Sequence, residues 1–146
     1  MEMNLLDDKI EIQDDHHLYR AVRTQYFVNG KINELAFSKP GPGISVLIAE
    51  ESDPHDLKKY FSGSYCAIAK VAPIRSVRRS EPEYEVSVDV EHKPSWHRAH
   101  AHVEAFINLR KAKEEGWKTL CEIGVMEEIM DNFHLINDLV IGEMDD

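Results

Sequence analysis

Trp96-His97-Arg98-Ala99-His100-Ala101-His102-Val103-Glu104 decides how this chain folds, because it satisfies two periods at once. Read as a strand, alternation puts His100, His102 and Glu104 on one face. Read as a helix, spacings of three and four gather His97, His100 and Glu104. We read it as extended through about His102. A helix then carries Val103, Phe106, Ile107 and Leu109 to about Glu115, and Gly116 ends it.

Upstream, Tyr84-Glu85-Val86-Ser87-Val88-Asp89-Val90 alternates cleanly. Val86, Val88 and Val90 share one face; Glu85, Ser87 and Asp89 share the other, so this is a half-exposed strand. His17-Leu-Tyr-Arg-Ala-Val22 reads as the first core strand, with Leu18, Arg20 and Val22 on one face. An arginine there either reaches water at the strand's open end or needs a partner, because an unpaired buried charge is costly. Ile44 to Ala49 and Tyr65 to Val71 read as further core strands by β-branched and apolar content. Asn29-Gly30 after Tyr26-Phe27-Val28 signals a hairpin. Ser52-Asp53-Pro54 starts a helix that carries Leu57, Tyr60 and Phe61 inward and ends near Gly63. Lys39-Pro40-Gly41-Pro42-Gly43 is a plain loop, with neither Walker nor dinucleotide spacing.

Downstream, Trp117 to Ile123 reads as a last strand. Met126, Ile129, Met130, Phe133, Ile136 and Val140 recur at helical spacing, which predicts a C-terminal helix docked on the sheet. The expected fold is α+β, a twisted, mostly antiparallel sheet of about five or six strands with two or three helices. Residues 1–15 form a partly ordered acidic lead-in, in which Ile10 and Ile12 could make a short edge strand. Residues 16–142 form a single α+β domain, and 143–146 a solvated tail.

A chain of 146 residues can bury a core without disulfides, and 42% apolar content argues against global disorder. The net charge of −10 argues against a general grip on nucleic acid or anionic membrane. The three arginines of Arg75 to Arg79 read as a solvated turn rather than a basic patch. No apolar run approaches a membrane span, and residues 1–15 lack the apolar core of a signal peptide. Cys66 and Cys121 read as reduced core residues, which points to the cytoplasm.

Three clusters could carry chemistry. His100-Ala-His102 has a spacing that zinc-type sites use on strands, and His97, His92 or Glu104 could complete the ligand set. The alternative is histidines satisfied by hydrogen bonds on a sheet face. Secondly, Arg20, Ser38 and the pair Glu83 and Glu85 could build a nucleotide cleft. The arginine would take a pyrophosphate, the serine would orient a carboxylate, and a glutamate would stabilise a positive ribosyl carbon. Thirdly, the acidity suits a non-catalytic binding module of the antitoxin or immunity type, facing a basic protein partner. Ordinary solubility accounts for the same charge.

Within residues 16–90 the chain resembles the ADP-ribosyltransferase superfamily, on His-Leu-Tyr-Arg-Ala (17–21), Ala-Phe-Ser (36–38), Gly-Ile-Ser-Val (43–46) and Glu-Tyr-Glu-Val (83–86). The resemblance implies NAD or a related nucleotide as ligand and transfer or hydrolysis of the ADP-ribosyl group. It implies catalytic roles for Arg20, Ser38 and Glu85, backed by Glu83, and cofactor contacts from Arg20, Tyr19, His17 and Ser45. Lys39-Pro40 after Ser38 departs from that family's Ser-Thr-Ser pattern. The chain is also similar to a small uncharacterised bacterial family with a Leu-Tyr-Arg start and a His-Ala-His segment, which implies no activity.

Overall fold

The computed structural model describes residues 9–32, 43–108, 110–112 and 114–142. In chain order the elements are β1 (His17–Val22), β2 (Phe27–Val28), β3 (Lys31–Ile32), β4 (Ile44–Ile48), α1 (Lys58–Phe61), β5 (Tyr65–Lys70), α2 (Val71–Arg75), β6 (Arg78–Ser80), β7 (Glu85–His92), β8 (His100–Ile107), β9 (Arg110–Lys111), α3 (Glu114–Glu122), α4 (Val125–Met130) and β10 (His134–Val140). The class is α+β, and the main sheet is antiparallel and strongly curled. Its order is β10-β5-β1-β4-β8-β7-β6, with β9 paired beside the end of β8.

Alternation explains the sheet's two unequal faces. One face carries Leu18 and Val22 of β1, Ile44, Val46 and Ile48 of β4, and Val86, Val88 and Val90 of β7, all in the main core. Trp117 and Leu120 of α3 and Val125, Met126 and Ile129 of α4 belong to the same core. The other face is mostly polar. There a small second core gathers Ala21, Leu47, Leu57, Cys66 and Ile141, with Tyr19, Phe61 and Trp96 against it.

Local signals hold where they set backbone geometry. Asn29 and Gly30 both take positive φ, 54° and 78°, the pairing that a two-residue hairpin turn requires. The turn joins β2 to β3, with Phe27 opposite Ile32. Asp53 accepts from the His55 backbone N–H at 2.9 Å, and Asp56 accepts from that of Asp53 at 2.9 Å. This capping box, with Pro54 behind it, starts a 3-10 turn that runs into α1.

Three spans differ from the sequence reading. The helix expected from Val103 to Glu115 is instead strand β8 to Ile107, paired with β4 on one side and β7 on the other. The strand expected at Trp117 to Ile123 is helix α3, with Trp117 and Leu120 buried one turn apart. The single helix expected from Met126 to Val140 stops at Met130, and residues 134–140 form edge strand β10 against β5. In each span short apolar spacings fit both periods; strand neighbours decided β8 and β10, and burial of Trp117 and Leu120 in the main core decided α3. Residues 9–13 form no strand, although Ile12 is buried in the main core.

Two of the three clustered arginines are paired locally. Arg75 pairs with Asp14 and Asp89, each at 2.9 Å, and Arg79 with Glu128 at 2.6 Å. Among the described residues, no helix is long and apolar enough to cross a membrane.

Candidate functional site

The polar face of β4 and β8 is the candidate site. Register sets Ser45 directly across from His102, and Leu47 across from His100. Ser45 Oγ lies 2.6 Å from His100 Nε2. The other ring nitrogen, Nδ1, is 2.7 Å from the Lys93 carbonyl oxygen. A carbonyl can only accept, so Nδ1 carries the proton and Nε2 is a bare acceptor. The Ser45 hydroxyl therefore donates to His100. Burial lowers the His100 pKa, with His92 and His97 adding to the shift and the Lys93 carbonyl opposing it. The imidazole is neutral at pH 7, the form that can take a proton.

His102 stands beside this pair, its ring 4.9 Å from that of His100. Burial pushes its pKa down to about 4, helped by His100, Lys111 and Lys93. Next along β8, Glu104 is only 1% exposed and meets Lys111 Nζ at 2.6 Å. Burial raises the Glu104 pKa and nearby Glu91 adds to it, while Lys111 opposes. Lys93 in turn pairs with Glu91 at 3.2 Å. Gly43 makes this crowding feasible. A Cβ there would lie 2.9 Å from the Val103 carbonyl and 3.0 Å from both His102 Cβ and Glu104 Cγ. Aromatic rings border the serine–histidine pair: Trp96 is 5.3 Å from the His100 ring, and Tyr60 is 5.3 Å from Trp96. Tyr60 is 54% exposed, which makes it an outward-facing shelf.

The expected zinc set does not assemble. His97 turns its Nε2 to Asp56 at 3.0 Å and accepts at Nδ1 from the Ala99 backbone at 3.0 Å. His92 accepts from the Ile10 N–H at 3.1 Å and reaches the Arg98 carbonyl at 2.6 Å. Both nitrogens of His100 are likewise engaged. Among the described residues, no three His, Cys, Asp or Glu side chains gather around a common centre. These residues therefore do not fit a bound metal, because each ring nitrogen of His92, His97 and His100 already serves the fold.

The expected nucleotide constellation is divided. Arg20 sits between Leu18 and Val22, on the face opposite Ser45's side chain. Its Nη1 donates to the Ser45 carbonyl at 2.9 Å, and burial lowers its pKa to about 10. His17, Tyr19 and Ser45 take the other face, with His17 Nδ1 held 2.6 Å from Glu50. Glu83 lies in the exposed turn between β6 and β7, and Glu85 begins β7. Ser38 lies outside the described residues. Register places Arg20 level with Ala101 and His92, and Glu85 seven residues further along β7. Seven strand steps span roughly 23 Å. Curling draws strands together across the sheet but leaves this offset along them, so Arg20 and Glu85 do not converge.

Ser45 and His100 are 55 residues apart, and no local motif links them. The available signal was paired alternation in β4 and β8, which puts both on one face once the strands are known to be neighbours. Comparison with family models, with curated proteins and with solved structures gives no match.

Proposed function

We propose that the polar face carries a nucleophilic group-transfer site, with Ser45 as nucleophile and His100 as its base. The 2.6 Å contact between Ser45 Oγ and an imidazole nitrogen that must accept supports this reading. A nucleophile, a base in hydrogen-bond reach and a third group fixing the base's tautomer form the recurring catalytic arrangement. Here the third group is a carbonyl, not a carboxylate, so it orients the ring but adds little charge stabilisation.

On an ester substrate Ser45 Oγ attacks the acyl carbon, and its proton passes to His100 Nε2. The tetrahedral adduct collapses, and His100 returns that proton to the departing alkoxide. Water then repeats the sequence, releasing the acid and restoring Ser45. Lys93 and Lys111 border this face, paired with Glu91 and Glu104. The Trp96–Tyr60 shelf suits a planar or aromatic portion of the substrate.

The test is labelling of the intact protein with a fluorophosphonate, located by peptide mass analysis, alongside hydrolysis of an aryl ester. Labelling confined to Ser45, lost in Ser45→Ala and slowed in His100→Gln, supports the site. Because His100 works as a neutral base, the acid limb of the rate profile should fall below pH 6.5. An unlabelled Ser45 in the folded protein reduces the pair to a clasp between strands. A non-catalytic acidic binding module then becomes the better account of the chain.

A further inference from the structure

A second feature stands apart from Ser45. A cleft of about 710 Å³ opens between the β2–β3 hairpin, α4 and β10. Its apolar lining comes from Phe27, Ile32, Met130, Phe133 and Leu135. Edge strand β10 contributes His134, Leu135 and Asn137, and among the described residues it pairs with β5 alone. An edge strand presents unpaired N–H and C=O groups, which an added strand can complete. The wall opposite is acidic. Glu127 and Asp131 lie one helical turn apart, joined by the Asp131 N–H to the Glu127 carbonyl at 2.9 Å. Neither enters an ion pair among the described residues, in contrast to Glu128, which holds Arg79. Lys31 is the one cation among the lining residues. The chain's net charge of −10 adds long-range attraction for a cation.

We propose that this cleft binds an extended basic segment of a partner protein, which adds as a strand to β10. Alternate side chains of such a strand point to opposite faces. Apolar ones would enter the Phe27–Phe133 side, and lysines or arginines would meet Glu127 and Asp131. The cleft's volume lies in the range of specific binding sites, and its acidic wall selects against acidic segments.

The experiment titrates the full chain with a capped peptide of alternating lysine and valine, followed by backbone amide shifts. Shifts should centre on β10 and the β2–β3 hairpin. The matching glutamate–valine peptide should not bind. Reversing both acids, Glu127→Lys with Asp131→Lys, should weaken binding by about tenfold or more. Glu83→Lys, at the exposed β6–β7 turn outside the cleft lining, should weaken it less than about twofold. A lysine peptide N-methylated at alternate residues, unable to donate to the edge, should bind about tenfold more weakly. Equal loss from Glu83→Lys would show only general attraction and overturn the proposal. So would binding of the glutamate peptide, shifts centred elsewhere, indifference to N-methylation, or no binding at millimolar peptide.

Discussion

The two faces of the curled sheet divide the protein's work. On the main-core face Val46, Val88 and Val103 bury hydrocarbon in one core with residues of α3 and α4, and the charged Arg20 on that face donates to the Ser45 carbonyl. Across the same strands, one residue away in sequence, Ser45, His100, His102 and Glu104 make a connected polar row. Each buried apolar side chain on the first face stabilises by about 1.5–3 kcal/mol. Each polar group on the second gains little net, and costs about 1–3 kcal/mol if its partner is removed. A strand's period of two therefore lets one stretch such as β8 hold the fold with Ala101, Val103 and Ala105 and present a site with the residues between.

This division can be broken at specific residues. The largest expected effect is on rate. Ser45→Ala should lower ester turnover on the order of a thousandfold or more, with the folded state kept. Loss of folding without a measurable activity in the wild type would erase the contrast between the faces. On the main-core face, Ile48→Ala should cost about 2–5 kcal/mol in urea unfolding, because Ile48 is fully buried in the main core. A cost under about 1 kcal/mol would mean that this face is not the stabilising one.

Acid should act on the polar face. His100 and His102 are held neutral in the folded state, with pKa values below the ordinary 6.5 and His102 at about 4. Below pH 6.5 the unfolded chain binds protons that the folded chain refuses, so these groups withdraw stability as pH falls from 6.5 toward 4. Glu104, raised above 4.5, works in the opposite sense: its contribution is full below 4.5 and fades as pH rises through its folded value. His102→Gln should therefore flatten the loss between pH 6.5 and 4, and Glu104→Gln should steepen it. Stability curves against pH for the two variants check both signs.

Smaller effects sharpen the comparison. Asp53→Ala removes one half of the capping box before α1 and should cost about 1 kcal/mol by thermal unfolding. Tyr60→Ala, at an exposed ring, should change stability by no more than about 0.5 kcal/mol while raising KM for aryl esters. An alkyl ester should show no such change.

Much of this architecture was legible locally. The strand at Glu85–His92, the turn at Asn29-Gly30 and the start at Asp53-Pro54 follow from alternation, positive-φ chemistry and capping. The histidine row was visible as a cluster but not as a site. Its meaning depended on Ser45 for His100, on Asp56 for His97 and on Ile10 for His92, all distant in the chain. The reading of Arg20 with Glu85 failed in geometry for the same reason. Each sits on a real strand, but the strands are not neighbours and the residues are out of level.

By itself, then, the sequence determined the α+β class, the early strands, the turns and the alternation that makes two-faced strands. These depend on backbone preferences and on periods spanning a few residues. Only the tertiary structure decided that residues 100–107 are a strand, that 114–122 are a helix, and that the chain's last described element is an edge strand. Those segments carry spacings compatible with both periods; partner strands far away in sequence settled residues 100–107 and 134–140, and burial of Trp117 and Leu120 in the main core settled 114–122. The pairing of Ser45 with His100 belongs to the same class of fact, since it exists only where β4 lies beside β8.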